Sequence, residues 1–127
     1  MKFGKFKWVD LTVENAEEVK EFYCQVIGWK SNEMDMGGYA DYLISNERSA
    51  EPVTGICHKK GTNEKLPSQW LNYVTVEDLQ TALKKCTDLG EKQLTEIKGC
   101  GPGMAFSVIQ DPGGAYLALM EEKESQA

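Results

Sequence analysis

The sequence predicts an α+β fold: two βαβββ modules, related by approximate two-fold symmetry, forming a cupped, partly closed sheet. Three observations predict it. The order strand, helix, strand, strand, strand occurs twice along 127 residues. The two occurrences lie 63 residues apart, with Thr12-Val13-Glu14 falling on Thr75-Val76-Glu77 and the helix cap Asn15 on Asp78. A polar stretch, Lys59 to Pro67, separates them with Gly61, Asn63 and Pro67. One module alone would leave the inner face of its sheet bare, so the two are expected to pack into a single domain spanning 1–127. Its parts are module one at 6–58, a linker at 59–67, module two at 68–122 and a polar tail at 123–127.

In module one, Val9, Leu11 and Val13 alternate with Trp8, Asp10 and Thr12, which predicts a strand over Trp8–Val13. Asn15 followed by Glu18 reads as a capping box. Behind it, Ala16, Val19, Phe22, Tyr23, Val26 and Ile27 form a helical stripe that Gly28 ends. Strands follow at Trp29–Glu33, Tyr39–Ser45 and Val53–Cys57, with turns at Gly37-Gly38 and Asn46–Pro52.

Module two repeats the order. Leu71–Val76 is a strand, Asp78 a cap, and Leu79, Ala82, Leu83, Cys86 and Leu89 a helical stripe stopped by Gly90. Strands are predicted at Gln93–Ile97, Met104–Ile109 and Ala115–Met120, the last two joined by the turn Asp111-Pro112-Gly113-Gly114. The run Gly99-Cys100-Gly101-Pro102-Gly103 precedes a strand rather than joining a strand to a helix, so it reads as a lid-like loop and not as a phosphate loop.

Composition narrows function by exclusion. Fourteen basic against twenty acidic side chains give a net charge of −6, which argues against nucleic acid and against an anionic membrane surface as partners. An isolated basic patch is compatible with that balance. No run is apolar enough for a signal peptide or a membrane span, so a cytoplasmic location is expected. In that compartment Cys24, Cys57, Cys86 and Cys100 are expected as free thiols. The one histidine, His58, adjoins Cys57; on a strand the two face opposite ways, so they make no catalytic dyad.

Trp8-Val9-Asp10-Leu11-Thr12-Val13, Ala16, Phe22-Tyr23 and Gly28-Trp29, with Trp70 to Val76 and Asp111-Pro112-Gly113-Gly114-Ala115 in the second half, resemble the vicinal oxygen chelate superfamily. That superfamily includes glyoxalase I, bleomycin-resistance proteins, fosfomycin-resistance proteins and extradiol dioxygenases, and the resemblance runs roughly from Phe6 to Glu122. Its catalytic members carry a divalent metal on four inward positions, on the first and last strand of each half. By the spacing of glyoxalase-type members, fourteen residues before Phe22 and four beyond Gly114, with the 63-residue repeat, those positions are Trp8, Gly55, Leu71 and Ala118. None offers imidazole nitrogen, carboxylate oxygen or thiolate, so neither a metal site nor a cofactor is expected.

The expected ligand-binding set is therefore Trp8, Asp10, Gly55, Cys57, Leu71, Tyr73, Tyr116 and Ala118. Trp8 serves as a stacking platform or as a filler of the vacated space, and Asp10, Tyr73 and Tyr116 as polar points. No catalytic set is evident; Asp10 is the one candidate base. The function expected is metal-independent binding of a small organic molecule, neutral or cationic given the net charge, as in the bleomycin-resistance branch. The alternatives are a glyoxalase-like lyase or isomerase acting on a small or thiol-conjugated substrate, and a regulatory or interaction domain. Open sheet edges and the habit of the superfamily predict a homodimer, to which Trp29 and Trp70 contribute.

Overall fold

The structure is a computed structural model that describes residues 3–46, 48, 51–99 and 103–123. It divides into two compact units, one of Val9–Trp70 and one of Leu71 onward together with the residues up to Trp8. The residues before the cut join the second unit through hydrogen bonds. Gly4 N–H donates to the Thr75 carbonyl at 2.7 Å, and Thr75 N–H to that of Lys5 at 2.9 Å.

In the first unit, strand β1 (Phe6–Val13, its first three residues lying in the other unit) leads into helix α1 (Ala16–Ile27). Strands β2 (Lys30–Asp35), β3 (Ala40–Ser45) and β4 (Pro52–His58) complete the sheet in the order β2-β3-β4-β1. A short 3₁₀ turn, Gly61–Asn63, interrupts the linker. The core lies under α1, where Leu11, Ala16, Tyr42, Ile44 and Ile56 are buried and Val13, Val19 and Tyr23 pack against them.

The second unit holds β5 (Trp70–Thr75, beginning one residue before the cut), helix α2 (Leu79–Asp88), β6 (Lys92–Gln93), β7 (Lys98–Gly99), β8 (Met104–Gln110) and β9 (Tyr116–Glu122). Its strand order is β5-β9-β8-β6, with β7 also on β8. Leu79 and Leu83 of α2 pack on Leu119, with Ala105, Ile109 and Leu117 around them. The repeat holds at the level of register. β1 and β4 run parallel with Asp10 opposite Gly55, and β5 and β9 run parallel with Tyr73 opposite Ala118, each residue 63 positions on. This is the α+β class and the doubled βαβββ order that the sequence predicts.

Three local expectations change. Asn15 does not close a capping box: its side chain makes no bond to the helix backbone, and its Nδ2 donates to Glu18 Oε1 at 3.0 Å. Asp78 does cap, accepting from Thr81 N–H at 3.0 Å. The α1 stripe is narrower than its apolar count suggests. Phe22, Val26 and Ile27 are 58%, 66% and 51% exposed, because the sheet-facing side centres on Ala16, Val19 and Tyr23 and successive helical positions turn by about 100°.

Finally, Gln93–Ile97 is not one strand but the short β6 and β7 with an irregular segment between them. There Thr95 is buried and takes over the ladder. Its Oγ1 accepts Val108 N–H at 3.1 Å, and its carbonyl accepts the Ser107 hydroxyl at 2.7 Å. A hydroxyl competing for backbone partners breaks a strand in this way. Cys100 to Pro102, the middle of the proposed lid, lie outside the described residues, as do 124–127 of the tail.

Candidate functional site

Strand alternation decides which side chains share a face. In the first unit, Leu11, Val13, Tyr42, Ile44 and Ile56 point at α1, so Asp10, Thr12, Asp41, Leu43, Gly55 and Cys57 lie on the other face. The three expected site residues of this unit, Asp10, Gly55 and Cys57, are thus brought together. Gly55 forms their floor: a Cβ there would meet Asp10 Cβ at 3.8 Å, Cys57 Sγ at 4.0 Å and the Tyr42 carbonyl at 3.7 Å. These are ordinary van der Waals contacts, so a methyl-sized side chain fits at this buried position without displacing its neighbours.

Asp41 was not singled out by the sequence, and it organises this face. It is 4% exposed, and its carboxylate neighbours the Cys57 thiol. Burial pushes the Cys57 thiol far up from its ordinary range, and the Asp41 and Asp10 carboxylates push it further. Cys57 is therefore a protonated donor and not a thiolate nucleophile. The signal was a lone carboxylate between Ala40 and Tyr42 in the strand Ala40–Ser45.

Asp41 also ends the β3–β4 ladder. Register continued from Tyr42–Ile56 would pair Ala40 with His58 through their backbones. Instead His58 N–H donates to Asp41 Oδ1 at 2.8 Å, and His58 Nδ1 bonds the Ala40 carbonyl at 2.8 Å. Because a carbonyl only accepts, Nδ1 carries the proton. His58 thus has its own partners and forms no dyad with Cys57.

The other five expected residues, Trp8, Leu71, Tyr73, Tyr116 and Ala118, belong to the second unit. Leu119 faces α2, so Ala118 and Tyr116 face away from it, with Ala118 in register with Tyr73. Leu71, Tyr73 and Ala118 are buried, and the Tyr73 ring meets Phe106 edge-on at 5.3 Å. This face is apolar and aromatic, whereas that of the first unit carries two carboxylates and a thiol. Trp29 and Trp70 pack with Tyr23 in one aromatic cluster, where Trp70 Nε1–H donates to the Tyr23 hydroxyl at 3.2 Å. Cys24, Cys57 and Cys86 are free thiols.

The resemblance implies a divalent metal, and the residues at its four implied positions do not fit one. Trp8, Gly55, Leu71 and Ala118 supply no donor atom. Among the described residues, no group of three or more His, Cys, Asp or Glu side chains is placed to hold a metal ion. Among the same residues, no helix is long and apolar enough to cross a membrane.

Comparison with known proteins agrees with this architecture. The family model described as Glyoxalase/Bleomycin resistance protein/Dioxygenase superfamily matches residues 5–119. Proteins of Mycobacterium bovis and Mycobacterium tuberculosis named as the glyoxylase CFP32 are 26% identical over 119 residues, 93% of this chain and 46% of theirs. The chain thus spans about half the length of the curated relatives it matches. Among solved structures, a glyoxalase/bleomycin resistance protein/dioxygenase superfamily member from Vibrio splendidus superposes with a TM-score of 0.59 at 11% identity, covering 93% of this chain and 100% of that one. Methylmalonyl-CoA epimerase from Mycobacterium tuberculosis follows at 0.56 and 16% identity, covering 97% and 91%. At such identities the likeness is one of fold.

Proposed function

Since the chain belongs to the glyoxalase/bleomycin resistance protein/dioxygenase superfamily, we propose that it is a metal-independent binding protein for a small organic molecule. The ligand lies on the helix-distal face of the first unit, over Gly55. The observation that carries this reading is the character of that face. At a position where the family resemblance implies a metal ligand, this chain has a glycine whose added Cβ would make only ordinary contacts, flanked by the Asp10 carboxylate and the protonated Cys57. Such a surface recognises a ligand by shape and hydrogen bonding. Two carboxylates and no basic side chain among Asp10, Thr12, Asp41, Leu43, Gly55 and Cys57 favour a neutral or cationic ligand.

A thermal-shift screen of metal-stripped protein tests the reading, with aromatic, ammonium-bearing and thiol-conjugated compounds as its three arms. A ligand that binds only the folded state raises Tm. The reading expects hits among neutral or cationic compounds that persist in chelator and disappear in Gly55→Leu. Hits that require added metal would overturn it.

A second reading, an isomerase with Asp10 as the base, draws on the methylmalonyl-CoA epimerases that share the fold. Proton abstraction beside a thioester carbonyl needs a carboxylate next to the substrate, and Asp10 borders the Gly55 floor. Deuterium uptake into methylmalonyl-CoA in heavy water, lost in Asp10→Asn, would favour it over pure binding.

A further inference from the structure

In a chain of net charge −6, the run His58-Lys59-Lys60 is a local concentration of positive charge, and the structure gives it an unusual setting. Lys7, Lys20 and Lys84 are each ion-paired, with Glu122, Glu21 and Asp88. Lys60 has no carboxylate partner among the described residues; its Nζ stands over the Tyr39 ring, 5.1 Å from the centroid. His58 meets the same ring edge-on at 5.7 Å. The Tyr39 hydroxyl reaches toward the backbone of Gly61, where an added Cβ would lie 3.7 Å from it. Three hydrogen-bonding groups, the Tyr39 phenol, the His58 imidazole and the Lys60 ammonium, are thus gathered around one aromatic ring at the splayed end of the β3–β4 ladder.

His58 is also prepared in a specific way. Its Nδ1 is committed to the Ala40 carbonyl at 2.8 Å, and its backbone N–H to Asp41. Nε2 has no hydrogen-bond partner among the described residues, and the side chain is 14% exposed. A backbone carbonyl holding one ring nitrogen fixes the orientation of the other, as it does in histidines that act through Nε2. Asp41 Oδ1 lies 3.5 Å from Nδ1. The charged and titratable groups facing the ring are Asp41 on β3, Tyr39 before it and Tyr42 within it, with Lys60 across Tyr39.

We propose that Tyr39, His58 and Lys60 form a binding site for a phosphate group, separate from the Gly55 face. With the ring proton on Nδ1, His58 Nε2 accepts while the Tyr39 phenol and the Lys60 ammonium donate, and a protonated phosphate, which carries both an O–H and acceptor oxygens, satisfies all three. Among the described residues the carboxylate hydrogen-bonded to this group is Asp41, which accepts from His58 N–H at 2.8 Å. The site needs no metal and no contribution from the second unit.

The chain has one histidine, so its imidazole NMR signals report this site without ambiguity. Inorganic phosphate and methyl phosphate are titrated separately into the protein at about pH 6, near the second ionisation of a phosphate monoester. Ionic strength is held constant with chloride. Saturable movement of the His58 signals by phosphate but not by chloride is expected. Tighter binding of methyl phosphate identifies a monoester as the ligand, and equal binding the free anion. Lys60→Met should weaken binding about tenfold, the worth of one charge-assisted hydrogen bond. Lys60→Arg should retain it, and Lys92→Met, in the other unit, should leave it unchanged. Absence of saturable movement up to about 50 mM phosphate, at the weak limit of what counts as binding, overturns the proposal. So does equal binding by Lys60→Met.

Discussion

Replacing Asp41 by alanine removes the carboxylate that ends the β3–β4 ladder, and its cost follows from what the carboxylate touches. His58 N–H loses a charge-assisted acceptor at 2.8 Å, and the Cys57 thiol loses a neighbouring carboxylate. A hydrogen bond to a charged group contributes about 1.5–3 kcal/mol, and a buried donor left unpaired costs about 1–3 kcal/mol. Part of this is recovered because a carboxylate that is 4% exposed no longer has to be desolvated. The net expectation is a loss of about 2–3 kcal/mol, or roughly 7–10 °C in Tm for a domain of this size. Asp41→Asn keeps an oxygen acceptor for His58 N–H and should lose no more than about 1 kcal/mol. Urea denaturation followed by circular dichroism measures both variants. Because the partner is a backbone amide rather than a mobile cation, high salt should change the difference little. Alanine within about 0.5 kcal/mol of wild type, or asparagine as costly as alanine, would refute the assignment of Asp41 as the ladder's terminal acceptor.

Other consequences can be measured independently. With its thiol held protonated in the fold, Cys57 favours the folded state increasingly less as the unfolded chain's thiol ionises above its ordinary 9.0. Stability contributed by this group should be intact below pH 9 and about 1.4 kcal/mol lower by about pH 10, and Cys57→Ala should flatten that part of the profile. Tyr42, also raised by burial, adds to the loss only from its ordinary 10.0 upward. Thr95→Val should cost about 1–3 kcal/mol by stranding Val108 N–H; unchanged hydrogen exchange at Val108 would contradict this. The chain is proposed to be a homodimer, so light scattering should give twice the 14.2 kDa chain mass, and a monomer at high micromolar concentration would count against it.

Much of the architecture was legible because it rests on local periodicity. Val9, Leu11 and Val13 mark a half-buried strand by themselves, and the 63-residue repeat carries the assignment into Leu71–Thr75 and the parallel pairing of Tyr73 with Ala118. Alternation also placed Asp10, Gly55 and Cys57 on one face. What escaped depends on a side chain choosing a distant backbone partner. Thr95 in a strand-like run gives no local sign that its hydroxyl will accept the Val108 amide thirteen residues on. Asp41 gives none that it will bond His58 seventeen residues on. Phe22 and Val26 illustrate a different limit: apolar identity along a helix does not say which of two adjacent stripes the sheet covers.

Calorimetric titration of the best screening hit into chelator-treated protein, in wild type, Gly55→Ala and Gly55→Leu, tests the central claim most directly. A Cβ at position 55 makes only ordinary contacts, so alanine should bind nearly as wild type, while leucine fills the face above Gly55. The account predicts affinity unaffected by chelator and reduced at least about tenfold, or 1.4 kcal/mol, by leucine. A stoichiometric metal retained by the protein and required for binding, or full affinity in Gly55→Leu, would contradict it.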